Sequence, residues 1–279
     1  MNFGLKIRSY FIACLIITIS APSQAAAFSF FKKTAQPLEM LGEAQLKKLP
    51  SDQIDVLVWN VHKGDDERWY PEFEELIKER EIVMVQEGLY TQEMRHTFAS
   101  KKEFIWDLAT SFHIFYKQSA GTGVATGSIA RALETSVLTT VATEPVVSTH
   151  KVSLYSEFAL QGRTDHLLVV NVHAINFVSD LSYMMELLRI KNKIKAHQGP
   201  LLLAGDFNTW SNMRMKALKR LAKTLHLTTI EFADSARSTG LGHFLDHAFI
   251  RGMEAVKVEN LGNVQTSDHK PLGFTLRAI

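Results

Sequence analysis

Polar residues of a few particular types end or interrupt the apolar runs of this chain. Asn60 ends VLVWN, Gln86 and Glu87 end IVMVQE, and His173 ends VVNVH. Asp206 and Asn208 end LLLAGDFN, Asp246 sits in FLDHAFI, and Asp268 and His269 lie in TSDHKP. These side chains suit phosphoester cleavage. Hard oxygen donors such as Glu87 and Asp268 favour Mg2+, Mn2+ or Ca2+ over thiolate-loving metals. Asp206 can orient or deprotonate a water. Asn60 and Asn208 can donate to oxygens that gain charge, and a histidine can stabilise a phosphate or shuttle a proton.

Other chemistries find less support. No G-x-S-x-G elbow exists, and the single cysteine, Cys14, lies in an N-terminal apolar run. Gly121-Thr122-Gly123 starts like a dinucleotide loop, but Thr126 stands where the third glycine belongs. It reads as a strand that approaches the substrate cleft. His243 and His247 have HxxxH spacing on a segment that reads as a strand, without the helix a zinc pair of that spacing needs.

The elements that must position these residues alternate along the chain. Strands are expected at Ile54–Asn60, Ile82–Gln86, 112–116, 123–130, 135–142, 152–160, 166–172 and Leu201–Ala204. Short strands near 227–231, 245–250, 254–260 and 271–276 close the chain. Helices are expected over Asp65–Arg80, Thr91–Ser100 and about 180–197, the last from the spacing of Leu181, Met184, Met185 and Leu188. Ser211 is placed to cap a fourth, striped by Leu218, Leu221, Ala222 and Leu225. Neither a regular βαβ repeat nor an all-β pattern fits this order. Two sheets packed face to face, with helices outside, accommodate it in one domain over residues 51–279. The polar strand ends then converge at one edge.

The N-terminus reads differently. Lys6 and Arg8 precede an apolar run from Tyr10 to Ile19, and small residues follow around Ala25–Ala27. This is the pattern of a signal peptide over residues 1–27, with residues 28–50 as a tether. The expected location is therefore exported, periplasmic or secreted. Removing it takes two basic residues and no acid, leaving as many basic residues as the 29 acids. A neutral domain lacks the broad positive field of strong non-specific nucleic-acid binders. With 46% hydrophobic residues among 279, the chain can bury a sizeable core.

The motifs WN (59–60), QE (86–87), NVH (171–173), GDFN (205–208), LD (245–246) and SDH (267–269), in this order, resemble the endonuclease/exonuclease/phosphatase superfamily. VHAINF (172–177) and GDFNTWS (205–211) are similar to its small bacterial YafD-like branch. The resemblance implies a DNase I-like fold, a four-layer α-β-β-α sandwich of two mixed sheets with helices outside. It implies Glu87 and Asp268 at the metal, and Asn60 beside metal and phosphate. Asp206 and Asn208 match the pair that positions the attacking water. His269 matches the histidine at the scissile phosphate, with Asp246 orienting it. His173 falls where DNase-like members place a second histidine, and Asn176 fits a phosphate-side asparagine. Two residues after Asn60, where AP endonucleases carry an acid, this chain has His62. One principal Mg2+ or Mn2+ site is therefore expected.

The expected activity is hydrolysis of a phosphodiester, nucleic acid or phospholipid-like, by metal-activated water. The alternatives are a phosphomonoesterase acting on a soluble phosphate and a non-catalytic binding protein on the same scaffold. No protein partner is evident, and a monomer is expected.

Overall fold

The computed structural model describes residues 31–33, 38–114, 120–145 and 148–279. The expected signal peptide lies outside the described residues. No described helix is long and apolar enough to cross a membrane.

One sheet is built from β1 (Phe31–Lys33), β2 (Leu38–Gly42), β3 (Ile54–Asn60), β4 (Ile82–Leu89), β5 (Ile105–Ile114) and β6 (Ala120–Ser128). The other contains β7 (Glu134–Thr139), β8 (Val152–Ala159), β9 (His166–His173), β10 (Leu201–Asp206) and β11 (Thr228–Thr229). A small hairpin joins β12 (Thr239–Gly240) to β13 (His243–Phe244). Of the last strands, β14 (Asp246–Arg251) joins the second sheet, and β15 (Met253–Val258) and β16 (Leu272–Ala278) join the first. The orders are β1-β5-β6-β4-β3-β16-β15, with β2 also on β5, and β11-β14-β10-β9-β8-β7. Both sheets are mixed: β3 and β4 run parallel, as do β9 and β10, and their other neighbours are antiparallel.

The strands read as near-continuous apolar runs because both faces are covered. On β3, Val56 and Val58 point into the core between the sheets, while Leu57 and Trp59 point outward. There they meet α1 (Trp69–Ile77) and α2 (Gln92–Phe98), which contribute Trp69, Phe73, Met94 and Phe98. On β10, Leu202 and Ala204 point inward. Leu201 and Leu203 meet α3 (Asp180–Ile194) and α4 (Asn212–Thr224). Period-two alternation thus produces the expected four layers.

Four details differ from expectation. Part of the presumed tether is sheet: β2 pairs with β5, and Leu49 is fully buried and bridges to Leu160. An open strand edge and a core hole for one leucine fix this segment. The first helix starts at Trp69, because His62–Gly64 forms a 3-10 turn with left-handed residues. β5 begins at Ile105, upstream of the expected 112–116. Finally, the buried stripe of α3 is Tyr183, Leu187, Ile190 and Ile194, and Leu181, Met184, Met185 and Leu188 face away from the core.

Candidate active site

The ladders fix most of the site. Along the parallel pair of the first sheet, Asn60 is in register with Gln86, so Glu87 emerges one residue further on. In the second sheet His173 is in register with Asp206, and Asp206 with Asp246. These are the carboxyl ends of the parallel strands, where α/β sheets place ligands. Gly205 makes the close approach possible, since a Cβ there would lie 2.0 Å from the Val172 carbonyl oxygen.

Glu87, His173, Asn176, Asp206, Asn208, Asp268 and His269 line one cleft of about 490 Å³. Asn60 and Asp246 stand behind it and act through neighbours. Asn60 Nδ2 donates to Asp206 Oδ2 at 3.0 Å, and Asp246 Oδ2 lies 2.8 Å from His269 Nδ1. The Asn208 backbone N–H donates to Asp206 Oδ1 at 2.9 Å, while its amide is tied to the Ala174 carbonyl at 3.0 Å. Asn208 therefore locks two loops together as well as holding Asp206. Asn176 Oδ1 accepts from Trp210 Nε1 at 2.7 Å and from the Phe177 N–H, which leaves the amide nitrogen as the end able to donate. Thr122 and Gly123 also line the cleft, as the Gly121–Gly123 reading anticipates.

Asp206 is the centre. The Nε2 atoms of His173 and His269 lie 3.7 and 3.9 Å from its Oδ2. Burial, opposed by the His269 charge, raises its affinity for a proton. His269 moves the same way for the opposite reason. Burial disfavours its charge, but the Asp246 and Asp206 carboxylates outweigh this and push it up to about 10. Burial and the Lys151 charge keep His173 neutral. His247, pushed down to about 3 by burial and Arg237, is neutral too. It bonds Thr209 at 2.7 Å inside a packed network, which leaves no basis for zinc.

The other wall is built on charge pairs. Glu87 is ion-paired with Lys63 and lies 3.7 Å from His173 Nε2. Burial opposes its charge, yet the Lys63 and Lys151 cations hold it well below the usual carboxylate range. Asp268 bonds His62 Nδ1 at 2.9 Å. His62, Lys63, Glu87, Phe177 and Asn208 all have positive φ, between 44° and 64°. Strained non-glycine backbone gathered at one cleft is a mark of a functional site.

Two groups could hold a cation. Asp206, Asp246 and His269 lie close together, but His269 keeps its proton between two carboxylates and so is a poor ligand. Glu87 and Asp268 fit better: both are hard carboxylates on the cleft wall, each already drawing a cationic partner.

Several contributors had weak sequence signals. Lys63 and Lys151 line the cleft. Gln86 Nε2 donates to Asn171 Oδ1 at 2.7 Å, and Asn171 Nδ2 to the Ala125 carbonyl at 2.9 Å, tying the sheets beneath the site. Arg214 is fully buried and donates to the carbonyls of Ile175, Val178 and Asn208, joining the two loops that carry Asn176 and Asn208. Its only advance signal is a basic residue four positions before Leu218 on the buried stripe of α4.

Fold and site together define a DNase I-like sandwich with its polar cleft at the carboxyl ends of both parallel pairs. The chain belongs to the Endonuclease/Exonuclease/phosphatase family, whose sequence model matches residues 57–269. It is 32% identical over 231 residues to a UPF0294 protein of Vibrio parahaemolyticus, a match covering 80% of this chain and 78% of that one. A UPF0294 protein of Vibrio campbellii matches at the same identity and coverage. Among solved structures, the human Nocturnin catalytic domain with bound sulfate superposes with a TM-score of 0.61 at 16% identity, covering 88% of this chain and all of that one. An endonuclease/exonuclease/phosphatase from Bacteroides vulgatus gives 0.62 at 16% identity, covering 81% and 99%. ANGEL2, a 2',3'-cyclic phosphatase, gives 0.61 at 13% identity, covering 87% and 98%.

Proposed function

We propose that this protein is a divalent-metal-dependent phosphodiesterase. The observation that carries the reading is the buried Asp206 carboxylate, oriented by Asn60 and the Asn208 N–H and flanked by two histidines of opposite protonation. A carboxylate with raised proton affinity is suited to take a proton from an attacking water near neutral pH. His269, held as imidazolium by Asp246, is placed to donate to the phosphate oxygens or the leaving group. Neutral His173 can donate one hydrogen bond, and Lys151 and Asn176 line the same cleft for the phosphate. A hard cation held by Glu87 and Asp268 would supply positive charge to the reacting phosphate.

The full set of acid, base and orienting groups favours turnover over a binding protein on the same scaffold. Solved structures that share the fold include a 2',3'-cyclic phosphatase and a catalytic domain with a bound sulfate anion. The test is a panel of plasmid DNA, RNA, phospholipids, a chromogenic diester and a monoester, with Mg2+, Mn2+ or chelator. Metal-dependent turnover, absent in Asp206→Ala, supports the reading. Full activity in chelator, or turnover retained in Asp206→Ala, overturns it. Export remains part of the proposal, and N-terminal sequencing of the exported fraction should give a start near Ala26 or Phe28.

A further inference from the structure

Helix α3 carries two apolar stripes. The inner one, Tyr183, Leu187, Ile190 and Ile194, packs into the core. The outer one repeats at the same spacing and is left largely open to solvent: Leu181 is 69% exposed, Met185 53%, and Met184 and Leu188 39% each. A groove between α3 and α4 runs along this outer stripe, with Ala217 and Arg220 on its α4 side, and Met213 adds further exposed apolar surface. Scattered exposed hydrophobes need no explanation, but a contiguous stripe of long ones on a helix pair does.

The charges around the stripe narrow the choice of partner. Lys191 lines the groove, and Lys216, Arg220 and Lys223 stand on one side of α4, which has no acidic residue at all. The two acids of α3 are already engaged, Glu186 by Arg189 and Asp180 by Arg214. A second copy of this chain would bring the same cations against each other. A nucleic acid would meet the cations but leave the leucines and methionines in water. Long apolar side chains fringed by Lys and Arg match the interface of an anionic bilayer, where the chains enter the acyl boundary and the cations meet headgroups.

We infer that the outer face of α3 and α4 docks on an anionic lipid surface. The stripe starts beside the cleft. Phe177, 72% exposed and lining the cleft, sits in the loop just before the helix, four residues ahead of Leu181. Ser179 caps α3 immediately after the loop that holds Asn176 and Phe177. Docking there sets the cleft mouth at the lipid–water boundary. Combined with the phosphodiesterase reading, on which this last step alone rests, it makes a phospholipid headgroup diester the substrate class.

The experiment reads the face itself, so that Tyr10–Ile19 cannot account for the result. In the full chain with Cys14→Ser, a fluorophore is placed at Met185→Cys or, as a control in the opposite layer, at Glu75→Cys. Iodide quenching is followed as vesicles are added. With phosphatidylcholine–phosphatidylglycerol vesicles, quenching at position 185 should fall several-fold while position 75 stays quenchable. Pure phosphatidylcholine should have little effect. Replacing Lys216, Arg220 and Lys223 by Gln should raise the lipid concentration needed by about fivefold per charge. Hydrolysis of a soluble chromogenic diester by these variants should equal wild type, which separates docking from the reading of the active site. Position 185 staying quenchable on phosphatidylglycerol vesicles overturns the inference. So does equal shielding on both lipids, or shielding that appears without lipid as protein concentration rises, which would mark a second copy.

Discussion

The two walls of the cleft hold their carboxylates in different ways. Asp206 and Asp246 are almost wholly buried, fixed by strand registers and by hydrogen bonds from Asn60, Asn208 and His269. Glu87 and Asp268 stand on the more exposed wall, and their nearest partners are Lys63 and His62, on a left-handed turn. The first wall is preorganised and has little freedom to rearrange. The second can exchange one cationic partner for another. Proton transfer needs fixed donors and acceptors, whereas an exchangeable cation needs a site that opens. Under the proposed function, proton chemistry falls to the first wall and cation binding to the second.

The largest effects should come from breaking the buried wall. Asp206→Ala should remove turnover, and His269→Ala should lose about 10²–10⁴-fold in kcat. Asp246→Asn should lose part of that, and the double variant should be little worse than His269→Ala, because the pair acts as a unit. Multiplicative losses would show independent residues. The pair also sets a pH dependence. His269 is raised to about 10 from its ordinary 6.5. The stability it contributes is thus complete below about pH 6.5 and lost as pH rises through about 10. Urea melts should show wild type exceeding Asp246→Asn at pH 6, with the gap closing toward pH 10. A gap independent of pH would deny the charge pairing.

A middle-sized effect tests the exchangeable wall. If Lys63 and a divalent cation compete for Glu87, Lys63→Met should tighten Mn2+ binding, by about tenfold or less, as read by calorimetry. Unchanged or weaker binding would show that Lys63 and the cation do not compete for Glu87.

The division between the walls also follows what was legible in the sequence. Asn60, His173 and Asp206 each terminate an apolar strand, so residue type and position announced them together. Asp246, Asp268 and His269 could be placed only by order along the chain and resemblance to a family. Lys63 was hidden because its contact with Glu87 depends on two successive left-handed residues in a segment whose acids read as a helix start. Residues 38–50 lack the length and alternation of a strand, and Leu49 is fixed only by a distant partner, Leu160. On α3 the period of 3.6 was legible but its phase was not. Two stripes share it, and the inner one includes Glu186, whose burial is made tolerable by backbone N–H groups of Val141 and Ala142 and by Arg189.

The smallest predicted effect concerns His62. Its pair with Asp268 is half exposed, so screening limits the contribution to about 0–1 kcal/mol. His62→Ala should change kcat only a few-fold. The backbone beneath should matter more to stability. His62 has φ 44° and Lys63 φ 64°, a conformation that costs a non-glycine residue about 1 kcal/mol or more. The His62 N–H donates to Asn60 Oδ1 at 3.1 Å, so the strained turn is tied to the residue that orients Asp206. Alanine keeps the strain and loses the pair, whereas glycine loses the pair and relieves the strain. At ordinary positions glycine is the less stable of the two by about 0.5–1 kcal/mol. Here the order should invert, with His62→Gly melting a few degrees above His62→Ala and both keeping similar kcat. If His62→Gly melts below His62→Ala, the turn is not strained. If kcat falls a hundredfold in either, the exposed wall takes part in proton chemistry and the division between the two walls fails.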